Sequence, residues 1–237
     1  MNSLVEKNVE VAQLSKQTIL IYGRPKIGKS TLANCFPNPL FLATEAGLNN
    51  VECDRINVNN WDKFLTACAY IVKGEHNYQT IVIDTYDNLT MYATEQICKE
   101  KGIEDIGDYK KFGAYHLVTN LLRLKLNKLA SYQYQLVLIS HNKLLEIESK
   151  TRKYNMYSLA VGGANKDVAL NLPDIILFMD SEVREEKEVG VVRCKPSMYW
   201  HAGDRSKRLP EEIIFPMDKP QEIYKALEKC FGIKKEG

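Results

Sequence analysis

Gly23-Arg24-Pro25-Lys26-Ile27-Gly28-Lys29-Ser30-Thr31 directly follows the apolar run Thr18-Ile19-Leu20-Ile21-Tyr22. The stretch fits G-x-x-x-x-G-K-[ST], a phosphate-binding loop set between a strand and a helix. The chemistry needs these residue types. Gly23 and Gly28 are expected to take backbone angles closed to other residues, so that successive N–H groups curl around a phosphate. Lys29 supplies a mobile cation for the β- and γ-phosphates, and the Ser30 hydroxyl is a ligand for Mg²⁺. Gly23, Arg24, Pro25, Lys26, Ile27, Gly28, Lys29, Ser30 and Thr31 are therefore the expected nucleotide-binding residues, with ATP and Mg²⁺ as cofactors. Thr31 to Cys35 can begin the helix that the motif requires.

Outward from this loop, short apolar runs alternate with helical patterns, which predicts an α/β protein with a mostly parallel sheet. Strands are expected at Thr18–Tyr22, Leu40–Ala43, Thr80–Asp84, Gln135–Ser140 and Ile175–Met179. Their unbroken apolarity suits strands covered on both faces. Trp61 to Lys73 carries a helical stripe of Phe64, Leu65, Cys68, Ile71 and Val72, with Asn60 placed to cap it. Leu89 to Lys101 reads as a helix stopped by Gly102, and Asp108 to Ala130 contains another, with Leu117, Leu121, Leu124 and Leu129 on its apolar side. Val191–Lys195, Ser197–His201 and Ile213–Phe215 read as an antiparallel C-terminal extension. Gln221 to Phe231 reads as a closing helix, and residues 234–237 as a solvated tail.

Bulk properties exclude little. The 237 residues suit one domain. The formal net charge of +2 means that any anion site must be a local patch. No stretch approaches the ~20 apolar residues that cross a bilayer, and Met1 to Gln17 lacks the pattern of a signal peptide. Cys35, Cys53, Cys68, Cys98, Cys194 and Cys230 form no C-x-x-C pair, and free thiols fit a cytoplasmic protein.

Thr80-Ile81-Val82-Ile83-Asp84 reads as a strand that delivers a carboxylate to the sheet edge, where nucleotides bind in α/β folds. Asp84 is expected to join Ser30 in holding Mg²⁺; the alternative is a helix cap. Thr85 follows where many P-loop ATPases carry a catalytic glutamate. The water-activating carboxylate must then come from elsewhere, and Glu45, after the second strand, is the candidate. Asp87 is a weaker one and reads as a helix-start residue. His141 ends the strand Ile139-Ser140-His141, where a ring N–H is placed to sense a γ-phosphate or the attacking water; a polar surface residue is the plainer reading.

Taken in order, these blocks resemble the RecA-like P-loop ATPases of bacteriophages, AAA-type ATP-binding proteins that include single-strand annealing recombinases. Carrying the resemblance are the phosphate loop, Ala43-Thr44-Glu45-Ala46-Gly47, Ile81-Val82-Ile83-Asp84-Thr85, Phe112-Gly113-Ala114-Tyr115, Leu138-Ile139-Ser140-His141, Leu172-Pro173-Asp174-Ile175, and Asp204-Arg205 through Leu209-Pro210. It implies a RecA-like core, with Lys29, Glu45, Asp84 and His141 as the catalytic set. His141 stands where RecA has a glutamine that couples the γ-phosphate to a DNA-binding loop. The resemblance further implies a homo-oligomer, ring or filament with ATP at subunit interfaces. Arg205, Lys207 and Arg208 are then candidates to reach a neighbour's nucleotide; a basic turn is the alternative.

Asn142 to Asn165 shows no persuasive regular element, and a loop this long in a compact domain is usually functional; the alternative is a disordered solvated loop or a short hairpin in which Leu144 to Ile147 pair. Lys143, Lys150, Arg152 and Lys153 there can track phosphates, and Tyr154 and Tyr157 can stack on bases. Lys110 and Lys111 lie near a second candidate loop. The expected partner is single-stranded DNA, with a single-strand-binding protein as a further partner class. Two other readings stay open: an ATP-binding regulatory or loader module in replication or repair, and a nucleotide or small-molecule kinase.

Overall fold

The computed structural model describes residues 13–109, 113–148 and 152–232. In chain order the elements are β1 (Ile19–Gly23), α1 (Lys29–Ala33), β2 (Pro39–Ala43), β3 (Asp54–Asn57), α2 (Trp61–Lys73), β4 (Thr80–Asp84), α3 (Tyr86–Lys101) and α4 (Ala114–Ala130). There follow β5 (Gln135–Glu148), β6 (Lys153–Leu159), α5 (Gly163–Asn171), β7 (Ile175–Arg184), β8 (Lys187–Arg193), β9 (Gly203–Asp204), β10 (Glu212–Phe215) and α6 (Gln221–Gly232).

One sheet organises the chain, in the order β10-β8-β7-β1-β5-β4-β2-β3. From β3 to β7 every neighbouring pair is parallel, while β7-β8 and β8-β10 are antiparallel. The expected α/β fold, mostly parallel with an antiparallel C-terminal extension, is therefore present. Strands β1 and β4 are buried at every position because helices cover both faces. On one face Leu20, Tyr22, Leu42 and Ile83 meet Phe64, Leu89, Val118 and Leu122 from α2, α3 and α4. On the other, Ile19, Ile21, Phe41 and Val82 meet Leu32 of α1 and Ile223 and Leu227 of α6.

Local chemistry sets the helix limits. Asn60 caps α2, its side-chain oxygen accepting from Lys63 N at 2.8 Å, and Gly74 ends the helix at φ 71°. Trp61, Phe64, Ala67 and Ile71 form its buried stripe, and each large side chain removed from water stabilises by about 1.5–3 kcal/mol.

Three expectations are corrected. In α4 the face is rotated: Val118, Leu122, Leu126 and the expected Leu129 are buried, the expected Leu117 and Leu121 pack half-buried against the core, and Leu124 points to solvent at 69% exposure. The helical repeat of 3.6 residues makes the face one residue away almost as plausible in a leucine-rich run. Ser197–His201 is a loop that closes on itself, with Ser197 N donating to Trp200 O and Trp200 Nε1 to Lys195 O at 3.0 Å. Asn142–Asn165 is mostly regular: β5 runs on to Glu148 and pairs antiparallel with β6, and α5 begins at Gly163. Along that part of β5, half-buried Lys143, Leu145 and Ile147 alternate with exposed Leu144, Glu146 and Glu148, a strand period written in long side chains.

Candidate nucleotide site

Strand register assembles the site. Gly23, at the end of β1, lies opposite His141 of β5 and Met179 of β7. Asp84, at the end of β4, lies opposite Ala43, two residues before Glu45. Four chain segments thus deliver their functional residues to the carboxyl edge of one sheet, where α/β folds bind ligands. A cleft of about 330 Å³ opens there, lined by Lys26, Gly28, Lys29, Ser30, Thr31, Glu45, Asp84 and His141 among others.

The two loop glycines serve different needs. Gly28 has φ 99°, as expected of a residue that turns the backbone inward. Gly23 has no positive φ; a Cβ there would overlap the Met179 carbonyl, so close packing on β7 is its reason. Arg24 turns away from the cleft, and its guanidinium donates to Ser181 Oγ at 2.7 Å and Glu188 Oε1 at 3.0 Å on the β7-β8 hairpin.

Lys29 is 6% exposed, and its ammonium donates to Gly23 O at 2.9 Å and Arg24 O at 2.8 Å. Burial lowers its pKa to about 8, against the opposing charges of Asp84, Asp87 and Glu45. Ser30 Oγ donates to Asp84 Oδ2 at 2.7 Å. Burial raises the Asp84 pKa, while the Ser30 hydrogen bond and the Lys29 charge oppose this and Glu45 adds to it. Two hard oxygens side by side in a cleft lined by the phosphate-binding loop fit Mg²⁺, which takes one or two protein ligands and fills its shell with phosphate oxygens and waters.

Glu45 stands on a pinned segment. Thr44 N donates to Asp84 O at 2.8 Å, and Thr44 O accepts from Tyr92 OH at 2.9 Å and Asn88 Nδ2 at 3.2 Å. Glu45 enters the cleft from there, as the sequence suggested.

Asp87 is the residue whose place sequence reasoning underestimated. It lies in the first turn of α3 and grips the middle of β5: its carboxylate accepts from Ser140 Oγ at 2.6 Å, His141 N at 2.7 Å and His141 Nδ1 at 3.0 Å. The hydrogen bond that His141 donates to Asp87 raises the His141 pKa, with burial working against it. A carboxylate on Nδ1 fixes the ring and leaves Nε2 for other partners. Nothing in the local sequence marks this contact, whose partners are 54 positions apart.

The remaining candidates are spread out. Lys143 donates to Ala160 O at 2.8 Å, and Lys153 pairs with Glu146 across the hairpin. Tyr154 is half-buried with its ring edge toward Tyr199, whereas Tyr157 packs on Phe178 with ring centroids 5.2 Å apart and is occupied as a core contact. Arg152 is exposed beside them, and Lys110, Lys111 and Lys150 lie outside the described residues. Arg205, Lys207 and Arg208 follow β9, which pairs with the first residues of β7, at the sheet end opposite the cleft. There Arg205 donates to Asp174 Oδ1 at 3.0 Å and Asn171 O at 2.7 Å, and Arg208 lies over the Phe231 ring. All six cysteines are free thiols, and among the described residues no helix is long and apolar enough to cross a membrane.

A family model described as an AAA domain matches residues 15–206, the greater part of the chain and all of the cleft. The chain belongs to this AAA domain family. With the phosphate loop intact, this AAA domain is a domain of the P-loop ATPase class on a mostly parallel α/β core. A curated relative is 27% identical over 183 residues, the SPbeta prophage-derived uncharacterized protein YorG of Bacillus subtilis (strain 168). The match takes in 74% of this chain, and the chain spans only 54% of that relative's length. Among solved structures, the KaiC-like protein PH0186 of Pyrococcus horikoshii OT3 is similar at TM-score 0.44 and 13% identity, over 75% of this chain and 77% of that one. The flagellar accessory protein FlaH of Methanocaldococcus jannaschii is similar at TM-score 0.47 and 8% identity, over 85% of each chain.

Proposed function

We propose that this AAA domain is a Mg²⁺-dependent ATPase coupled to single-stranded DNA, working in phage-type recombination or strand annealing. The observation that carries the reading is the continuity of β5. Its residue His141 lines the cleft, and the same strand then runs on into the basic and aromatic β5-β6 hairpin. The prophage origin of the YorG relative suits a phage setting.

Bound Mg²⁺ would be held by Ser30 and Asp84 and would neutralise charge on the phosphates. Lys29 leaves its two carbonyl acceptors for the β- and γ-phosphate oxygens. Glu45 accepts a proton from, or aligns, the attacking water, and His141 donates to the γ-phosphate through Nε2 while Asp87 holds Nδ1. Such positioning and charge complementarity are what phosphoryl transfer asks of a protein. Arg205, Lys207 and Arg208 sit at the sheet end opposite the cleft, so a head-to-tail homo-oligomer would bring them toward the next subunit's nucleotide.

The test is steady-state ATP hydrolysis with and without single-stranded DNA, for the wild type and Glu45→Gln. DNA-stimulated turnover that falls by 10²-fold or more in the variant, with ATP still bound, supports the reading. Turnover indifferent to DNA overturns the coupling, and unchanged turnover in the variant removes Glu45 from the mechanism.

A further inference from the structure

An aromatic chain leads from the phosphate loop to the surface. Tyr22, the residue before Gly23, stacks on Phe178 with centroids 4.9 Å apart. Phe178 meets Trp200 at 6.2 Å, and Trp200 is followed outward by Tyr199 and then Tyr154, each 6.2 Å on. The outer members are accessible: Tyr199 is 47% exposed, beside exposed Met198.

Backbone contacts hold this loop in place. Tyr157 N donates to Tyr199 O at 2.7 Å, and Tyr199 N donates to Ser197 Oγ at 3.2 Å. His201 is fastened to β1 twice, since Tyr22 OH donates to His201 O at 2.7 Å and accepts from His201 N at 2.9 Å. Cationic residues lie on the adjoining segments: the Arg193 guanidinium, also paired with Glu182 and Glu212, lies 5.0 Å from the Trp200 ring centre, Lys195 opens the loop, and Arg152 and Lys153, the latter paired with Glu146, precede Tyr154. An exposed tyrosine on a fixed loop, with lysine and arginine residues on the adjoining segments, has the composition that binds single strands by base stacking and phosphate contact.

We infer that Tyr199, with Tyr154 and Trp200 beside it, is a base-stacking platform for single-stranded DNA, joined to the phosphate loop through Tyr22. This rests on the proposed coupling to single-stranded DNA and names its contact surface, which differs from the hairpin tyrosines expected from sequence: Tyr157 faces inward and Tyr199 takes its place.

The fluorescence of the protein reports on this directly. Of the two tryptophans, Trp61 is buried beneath α2 at 3% exposure, whereas Trp200 is at the platform. A labelled oligothymidylate is titrated into the full chain, reading its anisotropy and, with an unlabelled copy, tryptophan emission. Binding should quench Trp200, and Tyr199→Ala should weaken affinity about 5- to 150-fold, the effect of removing one stacked base. Tyr199→Phe, which keeps the ring, should bind within about twofold of wild type, and the dependence of affinity on salt should be unchanged in both, because no phosphate contact is removed. Unchanged melting temperatures would show that the variants are folded. Wild-type binding that Tyr199→Ala leaves intact overturns the platform alone. A wild type that does not bind the oligonucleotide overturns the DNA reading itself.

Discussion

Replacing Asp87 with asparagine keeps the shape of the side chain and removes its charge. Three donors converge on this carboxylate, from Ser140 Oγ, His141 N and His141 Nδ1. The asparagine oxygen satisfies some of them, while its amide group confronts the rest donor to donor. A hydrogen bond to a charged group contributes about 1.5–3 kcal/mol, and the Asp87 side chain is only 16% exposed, so little of this is lost to solvent screening. If the misdirected imidazole forfeits one such bond to the γ-phosphate in the transition state, turnover falls about 10- to 150-fold. The pH profile carries a separate signature. Asp87 holds the His141 pKa above its ordinary 6.5, so the imidazolium persists to higher pH in the wild type. Turnover that uses it declines as pH rises through that raised value, and in Asp87→Asn the decline moves to lower pH. Folding stability follows the same sign: the contribution of the pair is full below pH 6.5 and is lost as pH rises through the folded-state value. Steady-state hydrolysis across pH, with melting curves at the same points, measures both. Wild-type turnover with an unshifted profile in the variant would refute the assignment of Asp87 as the residue that positions His141.

Further outcomes follow from other parts of the site and core. Asp84→Asn removes a carboxylate whose pKa burial has raised, so the nucleotide-free variant should melt higher than the wild type while losing Mg²⁺-dependent turnover; a lower melting temperature would show that the Asp84 charge stabilises the fold. Since the folded pKa lies above the ordinary 3.8, the wild type should close the melting gap as pH falls through that raised value and Asp84 takes up a proton. Gly190→Ala would drive a methyl group into the Phe215 ring on the neighbouring strand, destabilising by about 1–3 kcal/mol, and an unchanged melting temperature would contradict that packing.

Legibility in the sequence varied with how local the determining physics is. The phosphate loop, the strand ending in Asp84 and the helix Trp61–Lys73 were readable because their signals lie within a few consecutive residues. Glu45 was locatable from its place after an apolar run. Asp87 was undervalued because its significance comes from a partner 54 positions away, and no spacing rule links α3 to the middle of β5. The hairpin was read as irregular because its strands alternate lysine and glutamate with leucine and tyrosine, whose long side chains are half-buried on one face and project into water on the other. The expectation for Gly23 rested on backbone angles, whereas a neighbouring strand, invisible in sequence, is what excludes a side chain there.

Strand β5 is also a mechanical element. Beyond His141 it leaves β1 and β4 behind and pairs only with β6 as far as Glu148. At about 3.3 Å per residue that arm is ~23 Å long, so a tilt of about 5° at its base sweeps its end through ~2 Å. A tilt of that size at His141 would thus be read at the far end as a displacement comparable to the width of an atom. The pivot of this lever is the residue that Asp87 holds.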